Sequence, residues 1–596
     1  MVDDLVARLV ENGPEKVNMS KHRVTTKRSK ARCLGLSLCV IVGTSFSSMP
    51  SGAGEAAQEN TVVSGSVVST VDGPVRGFVR NGVNIFLGIP YAAPPIGVLR
   101  WQPPQPVKRW KDARDATRYA PTCPQVSELG AFAGPTSTSE DCLYLNVFTT
   151  GVNKNGKKMP VLVWIHGGGN IDGESNDYDA SKLAAGGPDG VPTVVVTINY
   201  RLGLFGFFSH PAIDSEGHLY GNYGILDQQA VLRWVQRNIA AFGGDPNRVA
   251  LGGQSAGAVD TAANLVSPYS NGLFNRAILQ SSPGFLASNF VSTQIAQGRG
   301  TNFAKAAGCT GTDAAAAKCL RNLSTTRILQ LQGTLNADGP YASGILSIDG
   351  AVIPRTPDQA FSTGNFNKMP IMGGGTRDEL TFISGIAEYF SGPPQTPMTA
   401  GQYSTAVSTG APCQFCVGGT MPSGTAARYP LAHYNGDPML AYERVTTDSV
   451  RCQEVNVMQR LASQVPIYAY DFTYASAPYY FPKMPGFKPL AAHTIDIQFV
   501  FDKWHGGQLG ANLDQATGQP RDLNQQESVL SDQMVAAWTN FASTGNPNGT
   551  GNSPWPKLAA GTSGKYLIEN IPLSTQSVAQ FRSDYQCDFW DSVSSN

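Results

Sequence analysis

The chain has 596 residues, 41% of them hydrophobic, with 44 Lys and Arg against 44 Asp and Glu. This length and apolar content allow a sizeable core within one large domain. The formal net charge of zero gives no indication of a nucleic-acid partner or of electrostatic attachment to a membrane.

The N-terminus predicts an export signal. A basic run over residues 21–32 precedes an apolar segment over residues 33–43, and small residues follow. This order is typical of a secretory signal peptide, and the apolar segment is too short for a comfortable membrane span. We expect residues 1–56 to be a signal peptide with an N-terminal extension. Residues 57–596 then form the mature domain, secreted or periplasmic and without a stable membrane anchor; an uncleaved anchor is the alternative.

A glycine-rich loop is the first motif that carries chemistry. A buried-strand pattern from Pro160 to Ile165 runs directly into His166-Gly167-Gly168-Gly169. Glycines let the backbone come close to a ligand, so its N–H groups can lie about 3 Å from the oxyanion formed in acyl transfer. A phosphate-binding loop would instead need a Lys-Ser/Thr or Gly-x-Gly-x-x-Gly spacing, and neither is present.

The second motif is Gly253-Gln254-Ser255-Ala256-Gly257, between a short apolar strand and a predicted helix over residues 258–266. A serine on such a strand-to-helix turn is held exposed at the edge of a sheet, and the helix N-terminus favours negative charge there. Alone, the motif could equally be a glycine-rich turn with a surface serine. Together with the upstream loop, it indicates an α/β-hydrolase with Ser255 as the nucleophile.

The remainder of the chain alternates predicted strands with predicted helices. Strands are predicted over residues 276–281, 369–372 and 467–472. Leu530, Met534, Trp538 and Phe541 recur at the spacing of one helix face. Such alternation implies the α/β class, with a mostly parallel central sheet flanked by helices.

An activated serine needs an imidazole that accepts its proton and a carboxylate that orients the imidazole. In this fold the chain order is serine, acid, histidine. Two carboxylates, Asp378 and Glu379, stand just beyond a predicted strand end, where catalytic side chains belong. Three histidines follow Ser255: His433, His493 and His505. These patterns alone leave the choice of the acid open.

Four long motifs resemble those of the type-B carboxylesterases, which include the cholinesterases. They are residues 140–147, 199–203, 221–228 and 242–257, and the resemblance extends over nearly all of the chain after about residue 60. It implies an α/β-hydrolase fold whose large loop insertions form a substrate gorge. It also implies serine-dependent ester hydrolysis without a metal or organic cofactor.

The resemblance also implies particular site residues. It places the base at His493, ahead of an aromatic-Val-Phe run, and the triad acid at Glu379 rather than Asp378. It gives the oxyanion-hole N–H groups to Gly168, Gly169 and Ala256. We further expect Ser281 and Asp496 to support His493.

The chain departs from the family pattern at three positions. Gln254 stands where the family most often has Glu, and Thr150 ends the second signature in place of Pro, Gln or Arg. Asn170 stands where an aromatic or apolar residue commonly follows the three glycines. We expect Asn170 to offer a polar group to a substrate oxygen.

Eight cysteines remain beyond residue 56, and an even number fits disulfide pairing. The resemblance implies the pairs Cys123–Cys142, Cys309–Cys319 and Cys452–Cys587, which leaves Cys413 and Cys416 as a local fourth pair. A lone Cys-x-x-Cys can also be half a zinc site or a redox motif. Because no second such motif and no nearby His-x-His occur, we expect a structural disulfide and no metal.

The substrate hypothesis depends on the position of aromatic residues. Cholinesterases hold a quaternary ammonium group against a Trp inside the first disulfide loop, but residues 123–142 contain no Trp, and Phe132 is their only aromatic residue. Tyr479, Tyr480 and Phe481 crowd the segment before His493, and we predict that they line the gorge. We therefore expect a small uncharged ester with aromatic or medium apolar groups. Simple packing of these aromatic residues is the alternative.

Two other functions stay open from the sequence. One is a catalytically inactive binding module of the cholinesterase-like kind, because a fold does not fix a function. The other is hydrolysis of amides or carbamates by the same three residues.

Overall fold

The computed structural model describes residues 62–126, 134–152, 158–282, 284, 286, 289–335, 343–409, 421–507, 510–549 and 554–594. The predicted signal over residues 1–56, Phe132, and the predicted Cys413–Cys416 pair lie outside these ranges. Within them, no helix combines the length and the apolar character needed to cross a bilayer.

The described residues form fifteen strands. They are β1 Val62–Ser69, β2 Pro74–Arg80, β3 Val83–Pro90, β4 Arg114–Asp115, β5 Tyr144–Thr149, β6 Met159–Ile165, β7 Val194–Ile198, β8 Gly244–Gln254, β9 Arg276–Gln280, β10 Phe290–Ser292, β11 Leu346–Ile348, β12 Ile371–Thr376, β13 Ile467–Phe472, β14 Lys565–Glu569 and β15 Ser574–Ser577. Thirteen of them join in one sheet of order β1-β2-β3-β5-β7-β6-β8-β9-β12-β13-β14-β15, with β4 beside β2, while β10 and β11 form a separate parallel pair.

Helices flank this sheet. The α-helices of the described residues are Ser181–Ala185, Gly203–Gly206, Pro211–Asp214, Tyr223–Asn238, Ala256–Val266, Thr293–Ala306, Ala314–Arg321, Thr325–Leu335, Pro357–Thr363, Thr381–Tyr389, Ala400–Thr409, Thr425–Arg428, Pro438–Ala462, Ile497–Val500, Gln525–Thr544, Val578–Asp584 and Cys587–Ser594. Their ends follow local chemistry. Asn524 and Glu527 form a capping box at the start of Gln525–Thr544, and Gly545 ends that helix with a φ of 78°.

The centre of the sheet is parallel. Strands β7, β6, β8, β9, β12, β13 and β14 pair in parallel with one another. Strands β1, β2, β3 and β5 on one side and β15 on the other are joined by antiparallel pairing, and β4 pairs in parallel with β2. Every residue of β7 and β12 is buried, as expected when helices cover both faces. The predicted α/β class with a mostly parallel sheet is confirmed.

The register of these strands brings the sequence motifs together. Ile165 of β6 pairs with Gly253 of β8, Gln254 pairs with Gln280 of β9, and Gln280 pairs with Gly374 of β12. The carboxyl ends of parallel strands meet at one edge of a sheet. The segments that begin at His166, Ser255, Ser281 and Arg377 therefore leave the sheet at the same edge.

Candidate active site

Ser255 lies on the sharp turn between β8 and the helix Ala256–Val266. Its φ of 56° and ψ of −127° lie in a region that non-glycine residues avoid. Its N–H donates to the Gln280 carbonyl oxygen at 2.9 Å, which fixes the turn against β9. A Cβ atom on Gly257 would lie 2.1 Å from the Ile165 carbonyl oxygen, so only glycine lets the helix and β6 approach so closely.

The glycine-rich loop after β6 packs against this serine. A Cβ atom on Gly167 would lie 3.1 Å from the Ser255 Cβ atom. Gly168 and Gly169 follow with φ values of 103° and 61°, which glycine adopts without strain. On the other side of the serine, Ala256 is the first residue of its helix, where backbone N–H groups lack intrahelical partners.

A histidine–carboxylate pair lies at the same edge. His493 Nδ1 is hydrogen-bonded to Glu379 Oε2, and the other carboxylate oxygen of Glu379 accepts the Thr376 N–H at 2.8 Å. Burial alone would raise the pKa of Glu379, but the His493 imidazole and the Arg451 guanidinium outweigh burial and hold that pKa below its usual value. The group beside His493 is therefore a carboxylate that remains ionised.

The neighbouring carboxylate has a different position. Asp378 Oδ2 accepts the Ala491 N–H at 3.1 Å, and the Asp378 N–H donates to the Ala491 carbonyl oxygen at 3.0 Å. Arg444 Nη1 lies 3.6 Å from the other carboxylate oxygen of Asp378. Asp378 thus attaches the segment before His493 to the end of β12, while the adjacent Glu379 contacts the imidazole.

A buried charge cluster lies behind Glu379. Arg451, wholly buried, donates from Nη1 to Glu454 Oε2 at 2.7 Å and from Nη2 to Asp471 Oδ1 at 2.9 Å. A Cβ atom on Gly375 would lie 2.2 Å from Arg451 Nη1 and 2.4 Å from Glu379 Oε1. Sequence reasoning missed Arg451; its only signal is an acidic residue three positions later in a predominantly buried helix.

The second ring nitrogen of His493 faces a side chain of β8. Gln254 Nε2 lies 3.1 Å from His493 Nε2. Asp496 is buried nearby and accepts the Gln280 side-chain N–H at 2.9 Å; burial, with the charge of Glu379, raises the pKa of Asp496 to about 7. Ser281 has a φ of 55° and donates its N–H to a β12 carbonyl oxygen at 2.7 Å.

The aromatic residues before His493 are almost fully buried. Tyr479 donates its hydroxyl to the His493 carbonyl oxygen at 2.7 Å, and the Tyr480 and Thr494 hydroxyls are hydrogen-bonded at 2.8 Å. Phe481 stacks on Tyr479 with ring centroids 5.2 Å apart. These contacts hold the backbone around His493. The expectation that these three residues line a substrate gorge stays a prediction.

Asn170 makes two buried side-chain hydrogen bonds. Asn170 Nδ2 donates to Asp260 Oδ1 at 3.0 Å, and Asn170 Oδ1 accepts the Tyr200 hydroxyl at 3.0 Å. The residue is only 2% exposed. Burial raises the pKa of Asp260 to about 7, against the hydrogen bonds from Asn170 and Gln228. Asn170 therefore ties the glycine loop to the helix Ala256–Val266, and its expected contact with a substrate oxygen stays a prediction.

Three predicted disulfides are formed: Cys123–Cys142, Cys309–Cys319 and Cys452–Cys587. The last joins the helix that carries Arg451 to the C-terminal helix Cys587–Ser594. Over the part of the chain that the structure describes, no group of three or more His, Cys, Asp or Glu residues is arranged to hold a metal ion.

The parallel sheet, the serine on a strained strand-to-helix turn and the histidine–carboxylate pair at the same edge define an α/β-hydrolase. The carboxylesterase family model matches residues 64–590, and the chain belongs to this family. It is a carboxylic-ester hydrolase, which confirms the family resemblance of its motifs.

Individual relatives cover most of the chain. A medium-chain fatty acyl-CoA hydrolase precursor from Anas platyrhynchos is 34% identical over 554 residues, covering 88% of this chain and 91% of the relative. A fumonisin B1 esterase from Sphingopyxis macrogoltabida is 35% identical over 500 residues, covering 82% of this chain and 84% of the relative. A solved PNB esterase has a TM-score of 0.69 at 29% identity, covering 87% of this chain and 98% of that one.

Proposed function

We propose that the chain is an exported serine carboxylesterase in which Ser255, His493 and Glu379 form the catalytic triad. The observation that carries this proposal is the buried contact between His493 Nδ1 and Glu379 Oε2 at the sheet edge where Ser255 turns into its helix. A carboxylate accepts only, so Nδ1 bears the ring proton. Nε2 of the neutral ring is then the base.

The reaction follows from these positions. Ser255 attacks the ester carbonyl carbon while His493 Nε2 takes the hydroxyl proton. The N–H groups of Gly168, Gly169 and Ala256 stabilise the oxyanion of the tetrahedral intermediate. The imidazolium returns its proton to the leaving alcohol, and water then hydrolyses the acyl-enzyme by the same route.

The proposed substrate is a small uncharged ester with an aromatic or medium-length apolar group, bound in a gorge. The first disulfide loop, residues 123–142, offers no Trp for a quaternary ammonium group. The name of the Anas relative, a medium-chain fatty acyl-CoA hydrolase precursor, supports an apolar group on the acyl side of the ester.

We also propose export, with residues 1–56 as signal and extension and residues 57–596 as one mature domain. Three formed disulfides are consistent with an extracellular or lumenal compartment, since disulfides persist where the environment is oxidising.

The substrate proposal is tested with two esters of the same shape. Acetylcholine and 3,3-dimethylbutyl acetate differ in the charge of one group, so the ratio of their kcat/KM values isolates the effect of that charge. We expect the neutral ester to be hydrolysed at least as efficiently. A marked preference for acetylcholine would contradict the proposed substrate class.

A further inference from the structure

Gln254 occupies an unusual position relative to the base. It is the last residue of β8 and directly precedes Ser255, and the residue is 1% exposed. Its Nε2 atom lies 3.1 Å from His493 Nε2, and its Oε1 atom would lie 3.0 Å from a Cβ atom on Gly167. The amide is therefore held between the base and the glycine loop.

The direction of this hydrogen bond follows from the other side of the ring. Glu379 accepts at His493 Nδ1, so Nδ1 carries the proton of the neutral imidazole. His493 Nε2 then has only a lone pair, and the Gln254 amide N–H donates to it. In the proposed reaction the same lone pair takes the Ser255 proton, so the Gln254 N–H turns away from Nε2 as Ser255 attacks.

We propose that Gln254 is a positioning residue that favours the neutral form of His493 and thereby extends ester hydrolysis to lower pH. The inference rests on the proposed function of Ser255 and His493. If His493 were protonated, its Nε2–H and the Gln254 NH₂ group would both be donors, and they would repel each other until the amide rotated to present Oε1. Even then the amide would supply no charge, whereas a Glu carboxylate at this position would stabilise the imidazolium directly.

Other charged groups bear on the same ring. Glu379 bonds Nδ1, and Asp496 is buried close enough for its pKa to respond to His493. The Arg451 guanidinium lowers the pKa of Glu379 and so affects the ring indirectly. The Tyr479 hydroxyl donates to the His493 carbonyl oxygen. Substitution of Gln254 leaves all of these in place, so a comparison of variants isolates the effect of this one side chain.

The first test is the pH profile of kcat/KM on a neutral ester for wild type, Gln254→Glu and Gln254→Met. In Gln254→Glu, a carboxylate lies about 4 Å from the imidazolium and attracts it at an effective dielectric constant of about 20. We therefore expect the acid limb of the kcat/KM profile of this variant to lie about two pH units or more above that of wild type. Met preserves the volume without charge, and loss of one hydrogen bond moves the limb by at most about one unit. Coincident profiles for wild type and Gln254→Glu, or equal shifts for Glu and Met, would overturn the proposal.

The second test does not require turnover. The His493 ring is titrated by ¹⁵N NMR in the Ser255→Ala background with Gln254 or with Gln254→Glu, and its signals are assigned by their loss in His493→Gln. We expect the Gln254→Glu form to titrate at higher pH, and equal midpoints would overturn the contact. Absence of ester hydrolysis in the wild type together with a shifted midpoint would instead reject the proposed function and leave the contact standing.

Discussion

At the scale of single residues, Asp378 and Glu379 are adjacent carboxylates with different partners. Glu379 contacts the imidazole of His493, whereas Asp378 accepts the N–H of Ala491, in the segment before His493. Glu379→Gln keeps the shape but cannot hold the imidazolium, and we expect kcat to fall by roughly 10⁴. Asp378→Asn keeps an oxygen for the Ala491 N–H, so its kcat should stay close to that of wild type.

Steady-state kinetics of the two variants on one ester measures both effects, and circular dichroism verifies folding. A severe loss in Asp378→Asn with a mild one in Glu379→Gln would mean that the triad acid has been assigned to the wrong carboxylate.

Asn170 and Asp260 form a second pair whose chemistry can be tested by exchange. Asn170→Asp would place a carboxylate 3.0 Å from the buried Asp260, and we expect it to lower the free energy of unfolding by about 1–3 kcal/mol. Asp260→Asn in the same chain restores one amide and one carboxylate. The double variant should therefore recover part of the loss in urea unfolding.

An Asn170→Asp variant as stable as wild type would contradict the hydrogen bond between the glycine loop and the helix Ala256–Val266. A double variant no more stable than the single one would contradict it as well. The exchange also separates the two roles considered for Asn170. A substrate contact alone would alter KM and leave unfolding unchanged.

At the scale of elements, the sequence predicted β9, β13 and the helix Gln525–Thr544 well, because apolar periodicity marked each. The strand predicted over residues 369–372 begins at Ile371 and continues to Thr376. The prediction missed the part of the strand that contains Gly373-Gly374-Gly375, because glycine has a low strand propensity. Glycine is present there because Tyr470 and Arg451 approach the backbone, which is tertiary information that no local pattern contains.

The motifs similarly predicted the region of the site but not all of its contacts. Residue types marked Ser255 and the glycine loop, and resemblance marked His493 and Glu379. The partners of Asn170 and Tyr479 depend on packing between segments far apart in the chain. Such packing fixes where a polar group points, and the sequence around each residue does not.

At one position of β12, Gly375, an added methyl group should displace side chains of the candidate active site. The added Cβ of Gly375→Ala would lie 2.2 Å from Arg451 Nη1 and 2.4 Å from Glu379 Oε1. We expect a loss of about 1–3 kcal/mol in stability from overpacking, and a lower kcat because Glu379 is displaced. Thermal unfolding and kcat on one ester measure the two effects.

Gly298→Ala is the matched control. It lies in the helix Thr293–Ala306, where an added Cβ meets no atom within 4 Å. That substitution should stabilise the protein by about 0.5–1 kcal/mol and leave kcat unchanged. Equal behaviour of the two variants would contradict the close approach of Arg451 to β12.

At the scale of the whole molecule, buried carboxyl groups give a pH dependence to stability. Burial is the chief cause that raises the pKa values of Asp177, Asp260 and Asp496 to about 7. Below their ordinary values of about 4, folded and unfolded chains bind the same protons. As pH rises from there to about 7 the unfolded chain ionises first, so these groups lower the stability of the fold.

The temperature of unfolding should consequently decrease between pH 5 and pH 8, and Asp496→Asn should show a smaller decrease. Differential scanning calorimetry at the two pH values measures this. Glu379, whose pKa is lowered, acts in the opposite sense and loses its contribution only as the pH falls. If the unfolding temperature instead rose steadily up to pH 8, it would contradict the claim that burial dominates the pKa values of these three carboxyl groups.

Ser255 is the proposed nucleophile of ester hydrolysis, and covalent labelling of this serine is a direct test of that role. The wild-type protein is treated with an organophosphate, the modified residue is located by peptide mass spectrometry, and residual esterase activity is followed in parallel. We expect one phosphoryl group on Ser255, loss of activity in proportion to labelling, and a folded Ser255→Ala variant that is unlabelled and slower by roughly 10⁴ or more. Labelling at another residue, or full activity in Ser255→Ala, would contradict the account.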